Sequence, residues 1–217
     1  MKYLIHTCNK RLWYVDKYLI PSMIEQGIDV NNVAVYLDRN EDGCLESCMK
    51  AFQSVENQGS TWHLQDDVII CSDFKKLTEH IYEEEIVCGY CYSKDDRKRH
   101  VGRVPQKHMW YSFPCIKIPN SLAKGCAKWY FNHAKFADDF QIWIKMKKYD
   151  DSIFDYYLQT FYSNVTVLNL APNLVDHIDY LIGGSVINRI RPEKETHAAY
   201  FEDTNLIDKL EKIIVDK

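Results

Sequence analysis

Three short apolar runs, separated by two helical stripes, constrain this chain more than any other feature of its sequence. Lys2–Thr7 (KYLIHT) reads as a first strand. Leu12, Val15, Leu19 and Met23 then recur at helical spacing, and Gly27 makes a natural stop. Val33–Leu37 (VAVYL) is a nearly continuous apolar run ending at Asp38, a pattern expected of a strand buried on both faces. After the turn Asn40-Glu41-Asp42-Gly43, a second stripe passes through Leu45, Cys48, Met49, Phe52 and Val55. Gly59-Ser60 breaks it, and Thr61–Leu64 begins a third strand that runs into Asp66-Asp67. This β-α-β-α-β order predicts a doubly wound α/β sheet. Ligands of such sheets collect beyond the carboxyl ends of the strands, where Thr7, Asp38 and the acidic pair fall.

The second half is less regular. Ile86–Tyr92 (IVCGYCY) reads as a strand, followed by a charged loop at 93–108 and an aromatic-rich stretch at 109–119. Helical patterns follow at about 121–132, about 139–147 and 153–162, the last with Ile153, Phe154, Tyr157, Leu158 and Phe161 on one face. Val165–Leu170 (VTVLNL) is a last strand. With no repeat, low-complexity segment or linker, the 217 residues, 46% of them hydrophobic, are expected to form one domain, with halves at about 1–92 and 93–217.

Charge and cysteine content narrow the class further. A net charge of −4 argues against a global field for nucleic acid or membrane, though a local basic patch stays open. No apolar stretch approaches the roughly 20 residues of a transmembrane span. Lys10 and Arg11 stand where the apolar region of a signal peptide would continue, so a cytoplasmic location is expected. The eight cysteines are read as reduced, mostly buried thiols. Cys88-x-x-Cys91 has the spacing of half a zinc site, but only the looser Cys44-x-x-x-Cys48 could complete it, and ordinary core residues are the better reading.

The acidic pair carries the functional expectation. Asp66 and Asp67 lie between two apolar segments, Thr61–Leu64 and Val68–Cys71, where adjacent like charges need a positive partner. Mg²⁺ or Mn²⁺ would serve, held by one or two carboxylates and the substrate's phosphates. The plain alternative is a solvated turn, or a cap for a helix starting near Ser72-Asp73-Phe74. Far along the chain, Pro172-Asn173-Leu174-Val175-Asp176-His177 precedes the small-residue turn Gly183-Gly184-Ser185.

"WHLQDDVIIC" and "PNLVDHI…GGS" together resemble the acidic motif and late histidine segment of the GT-A fold nucleotide-sugar glycosyltransferases, in the nucleotide-diphospho-sugar transferase superfamily. The resemblance implies a Rossmann-like, mostly parallel sheet flanked by helices. It implies metal-dependent transfer of a sugar from a UDP- or GDP-sugar to a hydroxyl, on a saccharide or on a modified nucleobase in DNA. Asp67 and His177 would hold Mn²⁺ or Mg²⁺, and Asp66 would meet the ribose or share the metal. Gln65 stands at the first acidic position of the motif, a departure from the pattern. Thr7 and Arg11 match the loop that binds the nucleotide, and Asp38 the acid that contacts base or ribose. Each has a plain alternative: Thr7 as a turn or cap residue, Arg11 and Asp38 as solvated charges.

Transfer with inversion also needs a carboxylate base near the acceptor. In "YDDSIFDYYL", Asp151 is the first choice and Asp150 the second, although both also suit a helix N-terminus. Asp138-Asp139 is a competing pair. Arg189 and Arg191 could reach the diphosphate, since guanidinium suits phosphate oxygens. Trp110 and Tyr111, beside the basic loop of Lys94–His108, could stack an acceptor sugar or base, against the plain reading of an exposed loop. Two rivals stay open. A sugar nucleotidyltransferase would usually show a glycine-rich loop after the first strand, and HTCNKRLW has no glycine. A lapsed nucleotide-sugar-binding module is compatible with Gln65.

Overall fold

In the computed structural model, residues 2–90, 102–105, 113–138, 150–162, 165–170, 173–183, 201 and 203–215 are described. Strand β1 (Lys2–Cys8) sets the layering, because its side chains alternate between two apolar clusters: Leu4 enters one, Tyr3 and Ile5 the other. It pairs in parallel with β2 (Val33–Asp38) on one side and β3 (Ser60–Gln65) on the other. Beyond β3 come β7 (Cys115–Pro119), β5 (Ile86–Cys88), β8 (Thr166–Asn169) and β6 (Gly102–Pro105), giving a seven-stranded sheet of order β2-β1-β3-β7-β5-β8-β6. β6 and β7 run opposite to the other strands. The sheet therefore takes strands from both halves of the chain.

Helices cover both faces. On the Leu4 side, α3 (Cys44–Ser54), α5 (Asn120–Asn132) and α6 (Asp150–Phe161) contribute Met49, Phe52, Ala123, Cys126, Phe154 and Leu158 to one core. Phe52 is its hub: its ring lies 4.8 Å from His63, 5.7 Å from Phe154 and 6.0 Å from Phe113. On the other side α1 (Leu12–Tyr14), a π-helical turn (Val15–Leu19), α2 (Ile20–Glu25) and α4 (Phe74–Glu79) bury Tyr14, Val15, Leu19, Met23 and Phe74. Gly27, at φ 82°, takes the left-handed conformation that ends this helical run. A final helix, α7 (Thr204–Val215), adds Leu210 to the same core.

Several sequence expectations are corrected. Val33–Leu37 is not buried on both faces: among the described residues β2 is an edge strand, and Ala34 and Val35 are exposed. An edge strand has a neighbour on one side only, and apolar periodicity does not report position in the sheet. Phe161 leaves the buried face of α6 and is 53% exposed, at the end of the helix. The strand expected over Ile86–Tyr92 is shorter, ending at Cys88. Gly89 follows it because a Cβ there would lie 2.8 Å from Cys115 Sγ. Cys91 and the helical pattern at 139–147 lie outside the described residues. The buried Lys117 on β7 was not anticipated at all. Its ammonium donates to the carbonyls of Tyr82, Glu83 and Glu85, tying the loop before β5 to the sheet.

A two-stranded sheet decides what meets the acidic pair. β4 (Val68–Ile70) pairs antiparallel with β9 (Val175–His177), Val68 opposite His177, and Ile178 N donates to Asp67 O at 2.8 Å. No helix among the described residues is long and apolar enough to cross a membrane.

Candidate functional site

A cleft of about 310 Å³ opens at the carboxyl ends of β1, β2 and β3. Thr7 and Asp38 enter it from the ends of β1 and β2. Arg11 enters from the turn after β1, and Gln65, Asp66 and Asp67 from the end of β3. From the far side come Cys44 at the start of α3 and Asp150 at the start of α6. Parallel strands deliver these residues together because every strand of the β-α-β-α-β unit ends on the same edge.

Asp66 and Asp67 are not solvated. Asp66 Oδ2 accepts from Thr7 Oγ1 at 2.8 Å and from Cys8 N at 3.3 Å, and Asp66 Oδ1 accepts from Arg11 Nη1 at 2.9 Å. The same Nη1 donates to Asp67 Oδ2. His177 Nε2 lies 3.2 Å from that Oδ2, and its Nδ1 lies 3.4 Å from Asp179 Oδ1. Arg11 is 5% exposed and Asp38 6%, so neither is the surface charge that the plain reading allowed. Asp38 Oδ1 also accepts from Asp42 N at 3.2 Å, which closes the turn after β2.

The charge states follow from this packing. Burial alone would raise the Asp67 pKa, but the charges and hydrogen bonds of His177 and Arg11 hold it below the usual carboxylate range. Asp66 is pushed up by burial and by the charge of Asp67, against the opposing pull of Arg11. Burial disfavours the imidazolium of His177, yet Asp67 raises its pKa on balance. Burial works against the guanidinium as well, and the two aspartates more than offset it. The group is a buried cluster in which Arg11, from the turn after β1, and His177, from β9, lie against the carboxylates that follow β3.

Three of the four carboxylate oxygens are thus engaged by cationic or hydrogen-bonding donors. Asp67 Oδ1 is the fourth, buried and without a partner. Among the described residues no three His, Cys, Asp or Glu side chains gather so as to hold a metal ion. As arranged, Asp67 and His177 face each other and Arg11, and this donor set does not fit a divalent cation.

Asp150 and Asp151 lie at the first turn of α6, both buried. Asp150 lines the cleft and Asp151 does not. Gln65 Nε2 donates to Asp150 Oδ2 at 3.4 Å, and the Cys44 thiol also hydrogen-bonds Asp150. Asp151, within the first turn, instead accepts at its Oδ1 from Ser152 N at 2.6 Å. Burial raises the pKa of Asp150. Burial and the charge of Asp150 bring Asp151 to about 7. Such a pair can hold a proton near neutral pH. Of the competing pair, Asp138 is exposed and Asp139 lies outside the described residues. So do Arg189, Arg191, Trp110 and Tyr111.

Sequence reasoning missed several residues here. Asp179, the second partner of His177, stands two positions after it, and that proximity was the available signal. Cys44 and His6 carried none. His6 Nε2 and His63 Nδ1 lie 2.9 Å apart beside the cleft. Burial lowers the pKa of His6 to about 4 and that of His63 well below the usual histidine value, so both are neutral.

No protein-family model and no curated protein matches the sequence. Solved structures do match. The structure of residues 1–349 of S. aureus TarS matches with a TM-score of 0.50 and 13% identity, over 84% of this chain and 62% of that one. Glycosyltransferase GlyE of Streptococcus pneumoniae TIGR4 matches at 0.43 and 9% identity, over 99% of this chain and 62% of that one. A Drosophila β1,4-galactosyltransferase 7, complexed with manganese, UDP-Gal and xylobiose, matches at 0.44 and 10% identity, over 95% and 79%. The chain spans 62% of the TarS and GlyE chains, less than two thirds of their length. It has a GT-A-like α/β fold, the fold of the nucleotide-sugar transferases.

Proposed function

We propose that the protein is a single-domain glycosyltransferase that moves a sugar from a nucleoside diphosphate sugar, of the UDP- or GDP-sugar class, to a hydroxyl on a saccharide or modified nucleobase. One observation carries this reading. A cleft at the carboxyl ends of β1, β2 and β3 is lined both by the buried cluster of Arg11, Asp66 and Asp67 and by the buried carboxylate of Asp150. The GT-A-like fold supports it, since ligands of open α/β sheets bind at that edge.

In this reading Thr7 and Asp38 face the nucleotide, and Lys10, in the turn after β1, offers a cation to the diphosphate. The acceptor oxygen attacks the anomeric carbon and its proton passes to Asp150. The bond from that carbon to the diphosphate oxygen breaks, and its electron pair leaves with the nucleoside diphosphate. Gln65 and Cys44 orient Asp150 for this step. Burial raises the basicity of Asp150. The Mn²⁺ or Mg²⁺ expected from the sequence has no part in the step, because the oxygens that would hold it are engaged by Arg11, Thr7, Cys8 and His177.

A thermal-shift panel of UDP- and GDP-sugars, with and without Mn²⁺, tests the reading, because a ligand that binds only the folded state raises the apparent stability. At least one donor is expected to raise Tm and to be slowly hydrolysed. Asp150→Asn should keep the shift and lose the hydrolysis. No stabilisation by any nucleoside diphosphate sugar would refute the proposal.

A further inference from the structure

Buried carboxylates placed side by side need a counter-cation held close to both. The cluster already contains one. A single guanidinium nitrogen, Arg11 Nη1, donates to Asp66 Oδ1 and Asp67 Oδ2. The Arg11 side chain is 6% exposed and leaves a tight turn in which Arg11 N donates to Cys8 O at 3.1 Å. It is therefore part of the packed interior and not a mobile surface group. Thr7 and Cys8 N fill the remaining oxygen of Asp66, and His177 lies against the same Asp67 Oδ2 that Arg11 engages.

We infer that Arg11 is the resident cation of this site, standing where a divalent ion would otherwise sit, so that Asp66 and Asp67 do not take up Mn²⁺ or Mg²⁺ while it is present. Mg²⁺ demands near-octahedral oxygen ligation. Of the four oxygens of Asp66 and Asp67, one is without a hydrogen-bond partner, Asp67 Oδ1, and that atom is buried. Admitting an ion would require the guanidinium to leave an interior position where two carboxylates hold it, and like charges would then compete for the same oxygens. The outcome is a glycosyl-transfer site whose acidic motif is neutralised by the chain itself. This inference deepens the proposed function and rests on it only for the donor. The ion binding is measured without donor.

The experiment is a titration of the whole protein with MnCl₂, read as loss of the free-ion electron paramagnetic resonance signal. The wild type should leave the signal unchanged at millimolar Mn²⁺. Arg11→Gln, which removes the charge and leaves the carboxylates buried together, should gain Mn²⁺ affinity by about a hundredfold. The double variant Arg11→Gln/Asp67→Asn should lose that gain. Mn²⁺ uptake by the wild type that Asp67→Asn abolishes would overturn the inference, as would a folded Arg11→Gln that takes up none. Should Arg11→Gln fail to fold, the wild-type titration alone decides. In parallel, the donor-induced rise in Tm should be the same with and without EDTA, and an EDTA-sensitive rise would count against Arg11. Failure of every donor to bind would sink the glycosyl-transfer reading and leave the Mn²⁺ result standing.

Discussion

Asp151→Asn should stabilise the protein at pH 8 while leaving its fold unchanged. Asp151 is buried beside Asp150, and its carboxyl titrates at about 7. In the unfolded chain an aspartate titrates at about 3.9. A pKa raised on folding means that the native state holds the proton to higher pH than the unfolded state does. Wild-type stability therefore falls as pH rises from about 4 to about 7, by up to ~4 kcal/mol for a shift of about three units. Asparagine never ionises and escapes this loss. It also keeps an Oδ1 to accept from Ser152 N, the 2.6 Å bond of the wild type. Relief of repulsion in a coupled pair is shared between its members, so a net gain of about 1–3 kcal/mol at pH 8 is expected, or roughly 2–10 °C in Tm. Urea unfolding of both proteins at pH 4.5, 6 and 8 checks this. The gain should grow with pH and nearly vanish at pH 4.5. A variant less stable than wild type at pH 8, or a pH-independent difference, would show that burial and like charge do not raise this carboxyl.

The neighbouring residue gives the functional counterpart. Asp150→Asn should lower transfer by about 10²–10⁴-fold with donor binding retained, measured by product formation and by calorimetry. His177→Gln should cost about 1–3 kcal/mol near pH 6. Because the folded pKa of His177 is raised, its contribution is present below the unfolded value and lost as pH rises through the folded one, so melts at pH 6 and 8.5 should show the deficit shrinking. Lys117 behaves in the opposite sense. Burial lowers its pKa to about 8, so the unfolded chain binds more protons between about 8 and 10.4 and wild-type stability gains with pH there. The stability difference between wild type and Lys117→Met, measured in urea, should widen in favour of the wild type from pH 8 to 10, and a flat or narrowing difference would refute it.

Much of the first half was legible in the sequence because its signals are local. Periodicity in Leu12–Met23 and Leu45–Val55, and the strands at Lys2–Thr7 and Thr61–Leu64, reflect side chains that choose a face within their own element. The β-α-β-α-β order then restricts the topology, and it places Thr7, Asp38 and Asp66-Asp67 at one edge. The second half was less legible because its strands are short and mixed in direction, so that the same apolar run suits an edge, a centre or a reversed position. Val33–Leu37 shows the limit: nothing in VAVYL says that β2 stands at the edge of the sheet formed by the described residues.

Taken alone, the sequence determined the strands and helices of the β-α-β-α-β unit and which of its strand ends carry acids, since those follow from spacing along the chain. Tertiary structure alone decided what balances the acids. Arg11 sits 55 residues before Asp66 along the chain, and the pairing of β4 with β9 brings His177 to Asp67 from far beyond it. It likewise decided that Asp150 and not Asp151 faces the cleft, and that Lys117 is buried on three carbonyls. The physical reason is that a charge's partner is set by distance in space, which strand pairing and burial create and which no local pattern encodes.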